Sequence, residues 1–275
     1  MPKIVILGSN GMLGQMAKFY FSQFYEVISY NERYSLADRD NFIFGVNEIN
    51  ADIIINCIGA IKQKNIPENH MMEVNTFLVG DILNNISNKQ ILIQPSTDCV
   101  FSGGTLKNKN MQNDYPDASD VYGLSKLFGE KLALSYKNGF VVRSSIIGPD
   151  QRKEGAGLFN WFYRLDQGEK INGYSNHLWN GVTTLEWCKQ VKENIIEKNN
   201  NNFLCLSSNT VSKFELLTMI NTIFEKQIIV CDYKTKQNHN MSLEGNIACK
   251  ELSEQLIDIK EALEGFYEFN KKINL

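Results

Sequence analysis

The sequence predicts a doubly wound α/β fold, in which helices cover both faces of a parallel sheet. Three observations support this fold class. Short runs of Ile, Val and Leu alternate with amphipathic stretches in the first half, a glycine-rich loop follows the first run, and the alternation ends after Gly148. Near-continuous apolar strands that alternate with helices are typical of parallel sheets with two covered faces.

The first half carries the alternating elements. The predicted strands are 3–7, 26–30, 53–56, 90–94 and 140–143. The helical patterns between them are 12–24, 40–49, 71–86 and 121–136. Beyond Gly148 the sequence predicts helices at 158–167 and 185–197, and a third that opens with a capping box between Ser212 and Glu215 and runs to about 224. The second half therefore looks like a smaller α/β unit packed on the first.

The composition indicates an ordinary globular protein. The chain has 275 residues, of which 43% are hydrophobic, and a net charge of −3 with a pI of about 5.7. This charge balance provides no basic field to attract nucleic acid, so nucleic acid is not expected to be the main partner. The apolar runs are too short for a membrane span or a signal peptide. A cytoplasmic location is therefore expected, and a homodimer is compatible with the sequence.

The spacing of cysteine and histidine predicts neither disulfides nor a metal site. The six cysteines occur singly and without a CxxC pair, and the three histidines do not cluster with them. Single cysteines, several of them inside apolar strands, are typical of reduced, buried thiols in a cytoplasmic protein.

A glycine-rich loop joins the first predicted strand to the first helix. Its sequence, GSNGMLG, spans residues 8–14. Glycine there permits a tight turn and lets the backbone approach a pyrophosphate, while the helix N-terminus supplies free N–H groups. The loop reads GxxGxxG and not GxGxxG, but its place between strand and helix favours dinucleotide binding over a plain turn. The predicted contacts are Gly8, Asn10, Gly11, Met12, Leu13 and Gly14.

The end of the second strand bears on the choice of nicotinamide cofactor. An acidic residue there binds the ribose 2′-hydroxyl of NAD, whereas a nearby Arg accommodates the 2′-phosphate of NADP. Asn31 occupies the expected acidic position, and Arg33 lies two residues further on. This pair favours NADP(H), while Glu32 between them leaves NAD(H) open.

Tyr122 and Lys126 form the candidate catalytic pair. They lie four residues apart on a predicted helix that Ser119 or Asp120 caps, so both side chains leave one helical face. A free Tyr titrates near about pH 10 and transfers protons poorly at neutral pH. An adjacent ammonium stabilises the phenolate and lowers that pKa. Because a YxxxK match often occurs by chance, the pair needs support from its surroundings.

Two strand ends supply that support. Residues 95–98 end the fourth strand, and residues 56–60 end the third. Ligands bind at the carboxyl edge of such sheets, so these segments, the glycine loop and the Tyr122 helix converge on one crevice. The sequence therefore predicts an oxidoreductase that uses a nicotinamide cofactor.

With these motifs, the chain resembles the extended short-chain dehydrogenase/reductases, and most of all the dTDP-4-dehydrorhamnose reductase family of nucleotide-sugar 4-ketoreductases. The matching segments are GSNGMLG at 8–14, STDCVFSG at 96–103, VYGLSK at 121–126 and, more loosely, FVVRSSIIG at 140–148. The match covers the first half and is weak in the second. It implies a dinucleotide-binding domain with a Rossmann-like sheet at 1–148, to which residues at about 182–200 also belong. The substrate-binding unit is expected mainly at 149–275.

Residue roles follow from the resemblance. It implies that Tyr122 protonates the sugar oxygen, that Lys126 holds the nicotinamide ribose and tunes Tyr122, and that Thr97 hydrogen-bonds the substrate carbonyl. Asn75 matches a family Asn, with a purely structural role equally open. The adenosine side of the cofactor is expected at Cys57, Ile58 and Gly59. The expected substrate contacts are Thr97, Asp98, Val100, Tyr122, His177 and Trp179.

The second half departs from the family pattern. Gly181 and Val182 stand where the family usually has Pro-Thr, and the preceding segment 176–180 matches no family pattern. Within this segment, packing roles for His177 and Trp179 compete with contacts to a sugar or a base. The identity of the sugar is therefore left open.

The resemblance implies reduction of the 4-keto group of a nucleotide-linked 6-deoxyhexose, for surface polysaccharide or glycoconjugate synthesis. Three alternatives compete with it. A 4,6-dehydratase of this fold carries Glu after Thr-Asp, because dehydration needs a second proton-transfer group, and Cys99 stands there instead. An epimerase of the same fold uses the same triad. A non-catalytic regulatory subunit would have no use for the three triad residues that this chain retains.

Overall fold

The computed structural model describes residues 1–62, 66–103, 110–111, 114–152, 155, 157–198 and 201–273. Within them, the strands are β1 (Lys3–Leu7), β2 (Glu26–Tyr30), β3 (Ile53–Asn56), β4 (Ile91–Ser96), β5 (Asn110–Met111), β6 (Gly139–Arg143), β7 (Ile146–Ile147), β8 (Lys170–Tyr174), β9 (His177–Trp179), β10 (Val182–Thr183), β11 (Phe203–Ser207), β12 (Val211–Ser212), β13 (Ile229–Tyr233), β14 (His239–Asn240), β15 (Leu243–Glu244) and β16 (Ile247–Ala248).

The helices in the same part of the chain are α1 (Met12–Phe21), α2 (Arg39–Ile49), α3 (Glu68–Met72), α4 (Leu78–Asn85), α5 (Val121–Ser135), α6 (Leu158–Tyr163), α7 (Thr184–Val191), α8 (Lys213–Ile223) and α9 (Leu252–Ile273). Two π-helical segments continue α3 into α4 and extend α7, at Glu73–Phe77 and Lys192–Glu197. Short 3₁₀ turns lie at Leu36–Asp38 and Asp98–Val100. No helix among the described residues is both long and apolar enough to cross a bilayer.

The central sheet has seven strands in the order β16-β11-β6-β4-β3-β1-β2. Every pair of neighbours in it is parallel. The predicted doubly wound parallel sheet is therefore confirmed. The chain runs outward from β1 to β2 and then returns to β3 on the other side of β1. Ligands of such sheets bind at the carboxyl ends of the strands where the order reverses, which here is between β1 and β3.

Alternate side chains of β1 enter two different hydrophobic cores. Ile4 and Ile6 pack with α1, α7 and α9, whereas Val5 and Leu7 pack with α2, α4 and α5. All four side chains are completely buried. Burial of an aliphatic side chain of this size contributes about 1.5–3 kcal/mol, so both helical layers hold the sheet in place.

Some element boundaries differ from the sequence prediction. The helix predicted at 12–24 ends at Phe21, where the Tyr25 N–H donates to the Phe21 carbonyl at 2.9 Å and closes a turn. The helix predicted at 71–86 already begins after Pro67, whose carbonyl accepts hydrogen bonds from the His70 and Met71 N–H groups at 3.0 and 3.1 Å. The strand predicted at 90–94 continues to Ser96, beside Arg143 of β6.

Two helix starts follow the local sequence closely. Asp120, and not Ser119, caps α5 by accepting a hydrogen bond from the Gly123 N–H at 3.0 Å. The capping box at the start of α8 is confirmed, because the side chains of Ser212 and Glu215 each bond the other's backbone N–H. Such caps fix where each helix begins.

The second half of the chain contributes to both the sheet and a separate layer. β11 and β16 extend the central sheet, and α7 packs on α1. In the separate layer, β8 pairs with β13, and β9 lies between β12 and β14. α8 packs against β8 and β13. The predicted boundary between a dinucleotide-binding and a substrate-binding unit stays a prediction.

Candidate active site

The glycine loop is held in a conformation that only small residues allow. Gly8 has a positive φ of 73°, and a Cβ added to it would lie 2.8 Å from Ile58 Cγ1. A Cβ on Gly14 would lie 2.3 Å from the Gly8 carbonyl oxygen. The loop therefore turns tightly over the end of β3 and lets α1 start against it, as expected for a dinucleotide-binding turn.

The first turn of α1 is left open to an anion. Gly11 is its N-cap residue, and no side chain caps the helix. The N–H groups of Met12, Leu13 and Gly14 therefore have no partner within the helix. They form a cradle with the positive end of the helix dipole, which suits the pyrophosphate of a dinucleotide. Asn10, which lies at the rim, instead offers its carbonyl to Gln15 Nε2 at 2.8 Å.

A cavity of about 410 Å³ lies at the carboxyl ends of β2 and β3. Asn31, Arg33, Ile58 and Gly59 all line it, so the structure brings together four of the residues expected on the adenosine side. Asn31 Oδ1 accepts a hydrogen bond from Ser9 Oγ at 3.0 Å, which ties the cavity to the glycine loop. The sequence analysis missed further residues of its wall, namely Tyr34, Ala60, Ile66, His70 and Val74.

Cys57 does not line the cavity that Ile58 and Gly59 line. It packs instead against the hydrophobic core. Burial raises the pKa of its thiol to about 12, and the nearby Lys126 opposes that rise. Cys57 thus lies on the Lys126 side of the crevice and not on the adenosine side. All six cysteines are free thiols.

Thr97 and Tyr122 meet at the end of β4. Thr97 caps the 3₁₀ turn there, and its hydroxyl donates to Asp98 Oδ1 at 2.9 Å while accepting from the Cys99 N–H at 3.2 Å. Burial raises the pKa of the Tyr122 phenol above its usual range, and the Thr97 side chain partly opposes that rise. The phenol is therefore protonated at neutral pH and can act as an acid.

Lys126 lies one helical turn beyond Tyr122 and reaches the sheet. Its ammonium donates to the Pro95 carbonyl oxygen at 2.7 Å. Burial lowers the pKa of Lys126 to about 8, against the opposing effect of Glu130. The ammonium of a second lysine, Lys62, lies over the Tyr122 ring, 5.7 Å from its centroid.

Close packing positions the helix that carries Tyr122 and Lys126. A Cβ on Gly123 would lie 2.3 Å from the Cys99 carbonyl oxygen, and one on Gly129 would lie 2.4 Å from the Asn75 carbonyl oxygen. Both glycines thus let α5 approach neighbouring backbone. The contact with Asn75 falls in the π-helical segment Glu73–Phe77, and such segments often occur at functional sites.

A second cavity, of about 380 Å³, opens beside Asp98 and Cys99, and neither Thr97 nor Tyr122 lines it. Its walls include three of the predicted substrate contacts, Asp98, His177 and Trp179. Val100 is not among them, because its side chain is completely buried in a cluster with Phe101, Cys205 and Leu243. The prediction that the Val100 side chain contacts substrate in this cavity has no support in its position.

The departure from the family pattern at Gly181 shapes this second cavity. A Cβ there would lie 2.3 Å from the Ser145 carbonyl oxygen and 2.3 Å from Trp179 Cζ2. The glycine lets the chain pass between them, so that β10 pairs with β7. Trp179 is 4% exposed and belongs to the core, and Lys213 lies over its ring.

Lys213 is one of the cavity residues that the sequence analysis missed, together with Cys99, Ser145, Leu178, His239 and Met241. Lys213 is the first residue of α8 and lines the same cavity as Asp98. Burial lowers its pKa to about 8, while the neighbouring Asp98 opposes that effect. The capping box indicated where α8 begins, but no local signal shows that this lysine faces the end of β4.

The fold and this site define an extended short-chain dehydrogenase/reductase, with a glycine-loop cradle and a Thr-Tyr-Lys group at the carboxyl edge of a parallel sheet. Residues 2–166 match the family described as the RmlD substrate binding domain. The chain belongs to this family. No curated protein sequence matches it.

Solved structures share the fold over nearly the whole chain. A dTDP-4-dehydrorhamnose reductase from Bacillus anthracis, in complex with NADP, has a TM-score of 0.81 at 19% identity and covers 94% of this chain and 98% of its own. The corresponding enzyme from Yersinia enterocolitica has a TM-score of 0.73 at 19% identity, with 94% and 98% covered. A B. anthracis dTDP-glucose 4,6-dehydratase in complex with NAD has a TM-score of 0.74 at 15% identity, with 99% and 98% covered.

Proposed function

We propose that this protein reduces the 4-keto group of a nucleotide-linked 6-deoxyhexose with NADPH or NADH. One observation carries the proposal. The protonated Tyr122 phenol, the Thr97 hydroxyl and the Lys126 ammonium lie at the carboxyl end of β4, in the crevice that the glycine loop borders. Family membership supports the same substrate class.

Tyr122, Thr97 and Lys126 have different roles in the proposed reduction. A bound NAD(P)H supplies the hydride that reduces the carbonyl carbon. The Tyr122 phenol donates its proton to the carbonyl oxygen, so that the ketone, the hydride on its carbon and this proton together give the alcohol, and Tyr122 is left as a phenolate. The Thr97 hydroxyl turns from Asp98 to the same oxygen and polarises it. The Lys126 ammonium would hold the ribose hydroxyls of a bound cofactor and would stabilise the phenolate that remains.

The cofactor cradle fits a dinucleotide on the same residues. The glycine loop would hold the pyrophosphate at the N-terminus of α1. Arg33 lines the adenosine-side cavity and forms no ion pair with the residues that the structure describes, so it is available for a 2′-phosphate. We therefore favour NADPH over NADH. An Arg33→Ala variant should lose affinity for NADPH and leave the affinity for NADH nearly unchanged.

Cys99 argues against a dehydratase at this site. It follows Asp98 where dehydratases of this fold carry Glu, and burial raises the pKa of its thiol to about 12. A neutral thiol cannot remove a proton from a sugar carbon near pH 7. Keto reduction, which needs a single proton donor, is compatible with the residues present.

The decisive experiment is an NADPH-oxidation assay with dTDP-, GDP- and UDP-linked 4-keto-6-deoxy sugars. Net oxidation with formation of the 4-hydroxy sugar supports the reductase, whereas isomerisation without net oxidation supports an epimerase. Tyr122→Phe should abolish turnover. Tyr136→Phe is the matched control, because Tyr136 ends the same helix and its hydroxyl contacts the Ser87 carbonyl, away from the site. Equal turnover by wild type and Tyr122→Phe would exclude the mechanism.

The biological setting belongs to the same proposal. A reductase of nucleotide sugars would serve the synthesis of surface polysaccharide or glycoconjugates in the cytoplasm. A homodimer stays a prediction from the sequence, and size-exclusion chromatography with light scattering tests it directly.

A further inference from the structure

The 380 Å³ cavity beside Asp98 has a wall that the proposed reduction does not use. Three basic side chains from distant parts of the chain, His177, Lys213 and His239, line it together with the Trp179 ring. Its volume lies in the range of small-ligand pockets. Among the described residues that line it, Asp98 is the carboxylate, and the Thr97 hydroxyl already donates to that group.

Lys213 is fixed in this wall by its backbone and by an aromatic ring. The capping box of Ser212 and Glu215 sets the first turn of α8. The Lys213 ammonium lies 4.8 Å from the centroid of the Trp179 ring. Among the described residues, no carboxylate lies within ion-pair distance of it. Asp98 acts on Lys213 from beyond that distance and forms no ion pair with it, so the ammonium retains capacity to bind an anion.

The two histidines bring further potential positive charge to the same wall. β9 and β14 pair in parallel with His177 opposite His239, and their ring centroids are 4.6 Å apart. His177 Nε2 is hydrogen-bonded to Thr235 Oγ1 at 2.8 Å, which fixes the ring. Burial, His239 and Lys213 all lower the pKa of His177. An anion that enters between His177 and Lys213 would favour their charged forms and so oppose this lowering.

We propose that Lys213, assisted by His177 and His239, binds the diphosphate of the nucleotide-linked substrate. The inference rests on the proposed function for the nature of the ligand, and it adds the orientation. The sugar carbonyl would lie at Thr97 and Tyr122, and the diphosphate would lie at the α8 end of the adjoining cavity, whose wall includes Asp98 next to Thr97. A sugar carboxylate would bind a cationic wall by the same chemistry, so the experiment separates these two anions.

Binding of nucleoside diphosphates tests the site without turnover. Calorimetric titrations use dTDP, UDP and GDP, and then the matching nucleosides, with the protein saturated in NADP⁺ so that the cofactor cleft is filled. Lys213→Met should weaken binding of the preferred diphosphate about tenfold or more, the loss expected for a hydrogen bond to a charged group. The nucleoside should bind equally to both proteins, and Lys213→Arg should keep most of the diphosphate affinity.

A matched control and a second variant guard against misfolding. Lys226 also lies over an aromatic ring, 5.0 Å from the Tyr163 centroid, but it does not line this cavity, so Lys226→Met should leave diphosphate affinity unchanged. His239 is exposed, so His239→Ala should fold and weaken diphosphate binding to a smaller extent. Thermal unfolding of each variant shows whether it is folded.

Three results would overturn the site. The first is equal diphosphate affinity in wild type and Lys213→Met. The second is an equal loss of affinity for diphosphate and for nucleoside in Lys213→Met. The third is a hexuronate that binds the NADP⁺-saturated wild type as tightly as the diphosphate does. The two proposals fail separately. Lys213-dependent diphosphate binding without keto-sugar reduction would reject the reductase and keep the site. Reduction with a Michaelis constant unaffected by Lys213→Met would keep the reductase and reject the site.

Discussion

The side-chain amide of Asn75 donates a hydrogen bond of 3.0 Å to the Ser125 hydroxyl and so joins the helix after β3 to the catalytic helix. The same side chain bonds both the N–H and the carbonyl of Ala60, at 3.0 and 3.1 Å. Ser125 Oγ in turn donates to the Tyr122 carbonyl at 2.8 Å. Asn75 therefore sets the distance between the loop at the end of β3 and the turn that carries Tyr122.

Replacement of Asn75 should damage both stability and turnover. Asn75→Ala leaves the backbone groups of Ala60 without their partners, and each buried group of this kind costs about 1–3 kcal/mol. Turnover should fall as well, because the Tyr122 turn loses its link to the loop. Urea unfolding and the keto-sugar assay measure the two effects.

Two variants sharpen the test of Asn75. Asn75→Asp keeps the acceptor for the Ala60 N–H but buries a carboxylate beside the Ala60 carbonyl, so at neutral pH its stability should fall at least as far as that of Asn75→Ala. Asn85→Ala removes an exposed amide that bonds the Asp81 carbonyl at 2.8 Å, and it should change neither stability nor turnover appreciably. If Asn75→Ala unfolds like Asn85→Ala, the amide does not hold this part of the site.

Gly14 and Gly11 should respond differently to substitution by alanine. A Cβ on Gly14 would lie 2.3 Å from the Gly8 carbonyl oxygen, whereas one on Gly11 would lie 3.5 Å from it, an ordinary contact. Overpacking of this kind costs about 1–3 kcal/mol, so Gly14→Ala should destabilise the cofactor-free protein by that amount. Gly11→Ala should cost less than about 1 kcal/mol, the usual loss at a helix N-cap.

Thermal unfolding of the cofactor-free variants decides between the two glycines. A larger loss of stability in Gly11→Ala than in Gly14→Ala would mean that the loop does not pack as the structure describes. Titration with NADPH then asks a separate question, namely whether Gly11 is needed for the close approach of the pyrophosphate.

The sequence predicted those parts of the fold and site that local patterns specify. The strands at 3–7, 26–30 and 53–56 have the predicted bounds. The strands at 3–7 and 53–56 are nearly continuous apolar runs between polar turns, which leave little choice of boundary. Contacts between distant segments were not predictable in this way. Lys213 and His239 have no neighbouring motif, and they reach the active-site cavity only because β14 pairs with β9 and α8 begins beside it. Gly181 looked like a departure from the family pattern, and its packing against Ser145 and Trp179 becomes visible only in three dimensions.

Glu130 and Arg143 form a buried ion pair whose disruption should be costly. Arg143 Nε and Nη2 donate to the two Glu130 oxygens at 2.8 and 2.7 Å, and both residues are at most 3% exposed. Arg143 also lies between the rings of Phe101 and Phe203. Glu130→Ala should lower the free energy of unfolding by about 3–5 kcal/mol, because it leaves a buried charge without its partner.

The double variant Glu130→Met, Arg143→Met separates the pair from its packing. Replacing a whole buried pair by apolar residues of similar volume is often neutral or stabilising. The double variant should therefore be more stable than Glu130→Ala in urea unfolding. A double variant less stable than Glu130→Ala would show that the aromatic contacts of Arg143, and not its ion pair, stabilise this region.

Lys126 should make the stability of the cofactor-free protein depend on pH above neutrality. Burial lowers its pKa to about 8 from the usual 10.5. Between these two values the unfolded chain binds more protons than the folded protein, so the free energy of unfolding rises with pH in this window. The cost of burying the charged ammonium is fully present below about pH 8 and disappears toward pH 10.5.

Lys126→Met removes this titration and serves as the reference. The difference in unfolding free energy between wild type and Lys126→Met, measured from pH 7 to 10, should be constant below pH 8 and then shift in favour of wild type. Lys131→Met is the control, since Lys131 is exposed on the same helix and should give a flat difference. A flat difference for Lys126→Met as well would mean that burial does not lower the pKa of Lys126, and the ammonium would then stay charged in the site well above neutral pH.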